Sequence, residues 1–148
     1  MPRTLAMAAL VASLLLAACG EETASSHPRA PDGPWVLDAE ALAESVRSQE
    51  GRDPSGLAQA AAKARRSRLE LQLEADGAWK GRAVDPDGRE DRLRGRWSWD
   101  EKRFELKATE RNGKKAEEAA LVGTYDGTRL RLEPSDAPGT LVLVFRRP

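Results

Sequence analysis

The sequence predicts a mainly β protein: an antiparallel up-and-down meander forming a small closed or half-open barrel, with two short N-terminal helices packed on it. Three observations carry this. In residues 92–99, Leu93, Gly95, Trp97 and Trp99 fall on one side of an extended strand and Arg92, Arg94, Arg96 and Ser98 on the other, the period-two signature of a half-buried strand. The same alternation returns in Leu69, Leu71 and Leu73, then in Phe104 and Leu106, Leu130 and Leu132, and Leu141, Leu143 and Phe145. Turn signals such as Asp76-Gly77 and Asp126-Gly127 separate these runs.

The chain has 148 residues, room for one core of ordinary size and a leader. Basic and acidic residues balance at 24 each, which removes the electrostatic footprint of a nucleic-acid binder. Arginine outnumbers lysine 18 to 6, a bias that suits planar anion recognition and that a coding preference produces equally well. With one cysteine no internal disulfide can form, so the position of Cys19 decides its chemistry.

Arg3 gives a short positive start, residues 5–18 are apolar or small apart from Ser13, and Cys19 follows at once. This is the shape of a secretory signal. Fourteen residues span about 21 Å as a helix, short of the roughly 30 Å hydrocarbon core, so removal is favoured over a permanent span. Leu16-Ala17-Ala18-Cys19 resembles the lipobox of bacterial lipoproteins. That resemblance implies diacylglycerol on the Cys19 sulfur, cleavage before it and acylation of the new amino terminus, with residues 1–18 as signal peptide. Two or three acyl chains anchor stably where one does not, so the expected partner at this end is a membrane that the protein does not cross. Gly20-Glu21 after the cysteine lacks the adjacent aspartate that retains many such proteins at the inner membrane. The outer membrane, in its periplasmic or surface face, is the expected location.

Residues 19–33 form the lipidated cysteine and a flexible tether, without periodic apolar residues and with two prolines. The only histidine, His27, lies there, with no second histidine or cysteine beyond the signal to build a metal site or triad. The folded domain is expected over 34–148, opening at Pro34-Trp35-Val36-Leu37. A helical insert at about 38–66 follows. Asp38 caps a helix carrying Ala39, Leu42, Ala43 and Val46, and Asp53-Pro54 opens a second through Leu57, Ala60, Ala61 and Ala64. Their alanine faces are narrow, suited to lying against the sheet or closing one end of it.

Strands follow in order. Leu69 to Leu73 turns at Asp76-Gly77 into Trp79, Gly81 and Ala83. Asp85-Pro86-Asp87-Gly88 leads to the strand of Leu93 to Trp99, and Asp100-Glu101-Lys102 links it to Phe104, Leu106 and Ala108. Residues 111–115 read as an exposed polar loop before Leu121, Gly123 and Tyr125. A weak repeat relates Gly95-Arg-Trp97 and its following strand to Gly123-Thr-Tyr125 and its own. The last strand, from Leu141 to Arg146, is apolar on both faces, and the helices are the available cover. With Trp35 to Leu37 the count is eight, a barrel-sized number.

Gly33-Pro34-Trp35 at the head of the first strand, the Leu-x-Leu and Asp-Gly hairpin, the Gly-x-Trp strand and the hydrophobic last strand together resemble small bacterial lipocalin-like lipoproteins, many without an assigned function. The likeness covers residues 35–147. It implies that Trp35 packs against an arginine from near the end of the barrel, Arg146 or Arg147. The chain departs from true lipocalins in its short strands, its helices near the N-terminus and its lack of a disulfide.

No nucleophile elbow, phosphate-binding glycine loop or Cys/His cluster is present. The carboxylate pairs Glu117-Glu118 and Glu90-Asp91 lie in polar segments, and no enzyme, cofactor or metal is expected. Trp79, Trp97, Trp99 and Tyr125 on inward faces can stack on a small apolar ligand or lipid, or can form the core itself. The outward row of Arg82, Arg92, Arg94 and Arg96 suits lipid headgroups or an acidic partner, with Glu70 and Glu74 placed to neutralise it across strands. The expected function is thus a lipid-anchored envelope lipoprotein binding a small apolar ligand. The alternative is a non-catalytic structural, accessory or inhibitor module that meets an envelope protein.

Overall fold

Apart from one two-residue strand that pairs only with the strand before it, each strand pairs with its neighbour along the chain, and the last pairs with the first. The computed structural model describes residues 29–49, 51, 53–117 and 120–148. Its strands are β1 (Gly33–Leu37), β2 (Arg68–Leu73), β3 (Ala78–Val84), β4 (Glu90–Trp99), β5 (Phe104–Arg111), β6 (Lys114–Lys115), β7 (Leu121–Tyr125), β8 (Arg129–Pro134) and β9 (Leu143–Arg146). Helices α1 (Ala39–Arg47) and α2 (Pro54–Arg66) lie between β1 and β2. The sheet runs β4-β3-β2-β1-β9-β8-β7-β5 and closes through pairing of β5 with β4, every contact antiparallel. Eight strands therefore make a closed barrel, which removes the edges an open sheet would expose. The leader, Cys19, His27 and most of the tether lie outside the described residues.

The alternation read from the sequence is the alternation of the barrel wall. Trp35, Leu71, Gly81 and Leu93 stand in one register row, and Gly33, Leu73, Trp79 and Gly95 in the next, all on the inner side. Trp35, Phe104, Phe145, Leu73, Leu130 and Leu132 are fully buried, and with Leu71, Trp79, Leu106 and Tyr125 they form one continuous core. Among the described residues no charged or polar side chain is buried. The core side chains pack into the interior, as expected for a barrel of this strand number.

The helices follow β1 instead of preceding the sheet, so they are an insertion in the connection to β2. Both caps form as the sequence reads: Asp38 accepts from Ala41 N at 3.1 Å and Asp53 from Gly56 N at 3.2 Å. Leu42, Ala43, Ala61 and Ala64 pack together and against Leu37, Leu141 and Leu143. Since Leu37 and Leu143 also touch the barrel core, the helix pair seals that end of the barrel. It also shortens the last strand, read from the sequence as starting at Leu141. Val142 N donates to Ser45 Oγ at 3.0 Å, and the Thr140 carbonyl accepts from Gln49 Nε2 at 2.7 Å, so α1 and the residues just after it hold this stretch. Regular pairing of β9 begins at Leu143, opposite Leu132. Among the described residues no helix is long and apolar enough to cross a membrane.

Residues 111–115 are more ordered than an exposed polar loop. Asn112 and Gly113, at φ of 52° and 78°, make a two-residue turn between β5 and β6, where Arg111 faces Lys114. Asn112 Oδ1 accepts from Arg92 N while Asn112 N donates to the Arg92 carbonyl, both at 2.8 Å, so the turn also ties down β4.

Four other turns use one device, an aspartate accepting the backbone N–H two residues on: Asp76 from Ala78, Asp85 from Asp87, Asp100 from Lys102 and Asp126 from Thr128. At Asp100 and Asp126 these bonds favour the ionised carboxylate. The backbone N–H of Arg103 and then that of Lys102 hold Asp100 below its usual 3.8, and the N–H groups of Thr128 and Arg129 do the same for Asp126. The folded chain thus holds protons more weakly than the unfolded one. Stability from this source is complete above the unfolded values and is lost as the pH falls through the lowered ones. The expected result is a thermal midpoint flat from about pH 7 to about 5 that falls below about pH 4, read by circular dichroism. A midpoint that rises on acidification would contradict it.

Candidate functional site

The four inward aromatics singled out from the sequence do not converge on one empty space. Trp79 lies across Gly95 and reaches β5, where its Nε1 donates to the Lys107 carbonyl at 3.0 Å. Trp97 stacks on Phe104, centroids 5.8 Å apart and planes within 13°, and donates to the Glu74 carbonyl at 2.9 Å. Trp99 and Tyr125 meet edge to face at 5.4 Å, and the Tyr125 hydroxyl donates to the Gly127 carbonyl at 3.0 Å. Tyr125 continues edge to face onto Trp35 at 5.7 Å. Three of the four polar handles are therefore spent on the backbone. The Trp99 indole N–H is buried without a partner among the described residues. An open hollow of about 360 Å³ is lined by Trp99 together with Ser98, Asp100, Arg103 and Glu105.

Trp35 closes the barrel end away from the helices. Its Nε1 donates to the Pro31 carbonyl at 2.7 Å, and the Arg147 guanidinium carbon stands 4.0 Å from its ring centroid. Arg147 Nη1 also donates to the carbonyls of Asp32 at 2.9 Å and Pro34 at 3.2 Å. Of the two arginines that the sequence left open for this contact, Arg147 makes it. Gly33 leaves the room: at φ 106°, a Cβ there would stand 2.9 Å from Arg147 Nη1.

A hollow of about 730 Å³ lies outside the barrel over β1 to β4. Pro34, Val36 and Pro148 bound one side, and Lys80, Arg82, Arg92 and Arg94 the other, with Glu70 and Glu90 among them. A neighbouring hollow of about 300 Å³ shares Glu70 and Arg82 and adds Arg66, Arg68 and Asp85. Charge pairing here is incomplete. Glu90 takes both Arg82, at 2.9 Å, and Arg92, at 3.5 Å, and these two hold its carboxyl below the usual range. Lys80 pairs with Glu74 at 2.8 Å. Glu70 stands opposite Arg82 in register without a salt bridge to it.

No protein-family model matches the chain, and no curated protein matches it.

The described members of the carboxylate pairs each stand beside a cation. Asp91 is held below its usual value by Arg111 and Asn112, the reverse of a proton donor. Glu117 is solvated beside Lys115, and Glu118 lies outside the described residues. Among the described residues no three His, Cys, Asp or Glu side chains gather to hold a metal ion. The outer hollow was only half visible from the sequence: its arginines stood out, but Lys80, Pro34, Val36 and Pro148 join them only through strand register and barrel closure.

Proposed function

We infer that the chain is a lipid-anchored lipoprotein of a bacterial envelope, its lipocalin-like barrel acting as a non-catalytic module that engages its partner from outside the barrel. The lipocalin-like reading draws support from the eight-stranded up-and-down closure and the Arg147 guanidinium over Trp35 at the barrel end. The anchor rests on the lipobox-like Leu16-Ala17-Ala18-Cys19. One observation carries the choice between inside and outside: the inward aromatics pack on one another, and Trp35, Trp79, Trp97 and Tyr125 each donate to a backbone carbonyl. An apolar guest would have to displace those contacts and leave their carbonyls unpaired, at about 1–3 kcal/mol each.

Native mass spectrometry with lipid extraction on the purified protein tests this. The expected mass carries no apolar adduct beyond the acyl groups of Cys19, and in-cell cross-linking recovers a specific envelope partner. A stoichiometric extractable lipid would overturn the outside reading and assign carriage within the barrel. The anchor has a separate check, because Cys19→Ser is expected to release the protein from membranes and abolish the acyl mass. Unchanged membrane association would refute it.

A further inference from the structure

The row of side chains crossing the outer hollow is frustrated, and the frustration points to a ligand. In the β3–β4 register Lys80 stands opposite Arg94 and Arg82 opposite Arg92, two like-charge cross-strand pairs side by side. Next to them Arg96 stands opposite Lys107 on β5. Like charges directly opposite destabilise a sheet. Glu90 and Glu74 relieve Arg82, Arg92 and Lys80, whereas Arg94 faces Glu110 across β4 and β5 and forms no salt bridge with it. Over the two adjoining hollows, six cations (Arg66, Arg68, Lys80, Arg82, Arg92, Arg94) face three carboxylates (Glu70, Asp85, Glu90). The surplus is positive although the whole chain is neutral.

We propose that this face docks on phosphodiester headgroups of an anionic phospholipid membrane. Arginine forks suit phosphate oxygens, and the apolar rim of Pro34, Val36 and Pro148 suits the headgroup boundary beside them. The proposal rests on the anchored reading of the chain, and the tether connects the two: Pro34, on the rim of the hollow, is where the segment after Cys19 enters β1. The fourteen residues 20–33 reach at most roughly 50 Å when extended. An anchor at Cys19 therefore keeps this face within reach of the bilayer to which the acyl chains belong, and the basic hollow turns the barrel so that β1 to β4 face the lipid.

The test is arginine footprinting of the full processed protein in vesicles of phosphatidylcholine alone or with phosphatidylglycerol added, using a dicarbonyl reagent and mass spectrometry. Modification of Arg92 and Arg94 is expected to slow about fivefold or more in the anionic vesicles, and to recover at high salt as the field is screened. Equal rates in the two vesicles would overturn the proposal. Protection by inorganic phosphate as strong as by the anionic vesicles would overturn the membrane source in favour of a free-anion site. Arg94→Gln supplies a second readout: relief of the Lys80 repulsion is expected to raise the thermal midpoint while weakening the protection of Arg92, and a lowered midpoint would contradict the frustration argument. Failure to float with neutral vesicles would defeat the anchor alone, since anionic vesicles still protect the arginines of an unanchored protein if the docking face is real.

Discussion

Gly95→Ala is expected to leave little folded barrel at 25 °C. A Cβ at residue 95 would stand 1.9 Å from the Lys107 carbonyl oxygen and 2.6 Å from Trp79 Nε1. Neither neighbour can yield, because that same carbonyl accepts the Trp79 indole N–H across the missing side chain. The register between β4 and β5 also shifts at this point, between Arg94 and Gly95, the bulge with which a barrel wall bends. Making room means parting β4 from β5 and unseating Trp79. The expected cost is roughly 4 kcal/mol or more, a large share of the about 5–15 kcal/mol by which such domains are stable. Gly81→Ala serves as the comparison: its Cβ would meet the ring edge of Trp79 at 2.8 Å and Leu71 Cδ2 at 3.3 Å, both side chains, and the loss should be visibly smaller. Urea unfolding followed by tryptophan fluorescence reads both. A Gly95→Ala protein as stable as the parent would show that the close approach is not needed.

The second large effect is expected at the sealed barrel end. Trp35→Ala removes a fully buried indole that touches Tyr125, Arg147 and the Pro31 carbonyl. A cost of about 3–5 kcal/mol is expected for a large aromatic lost from a core. Arg147→Ala should cost less, about 0.5–2 kcal/mol, since it gives up a cation over a ring and donors to Asp32 and Pro34. The two losses should not add. In a double-mutant cycle the Arg147 effect is expected to shrink once Trp35 is gone, because the ring on which the guanidinium rests has left. Full additivity would mean that the 4.0 Å approach contributes no energy.

Much of this was legible one strand at a time. The side chains facing inward on β2, β3, β4, β7 and β8 are those the period-two pattern named, and the weak repeat between residues 95 and 123 has a physical cause. Gly123, like Gly95, lies where a neighbouring strand occupies the Cβ position, with the Arg131 carbonyl oxygen 1.8 Å from it. Both glycines precede an aromatic packed in or against the core by two residues. The turn aspartates were equally readable, because an Asx turn depends on the next two residues and nothing else. The Asn112-Gly113 turn carried its own local signal, yet its charged flanks read as an exposed loop.

The amino-acid sequence by itself determined what is local: two capped helices, eight strands in order, the turns that reverse them and the inward set of each, since caps, turns and alternation are decided within a few residues. The tertiary structure decided what depends on register and closure. It chose Arg147 over Arg146 for Trp35, because β9 places Arg146 opposite Arg129 and Val36 on the wall and lets residue 147 pass the end of the barrel. It gave the start of the last strand to α1 and the residues just after it, because Ser45 and Gln49 offer partners that β8 does not. It also set Lys80 against Arg94 and Arg82 against Arg92, a clustering that no single strand contains, because charge is repelled or relieved across strands and only the fold says which strands meet.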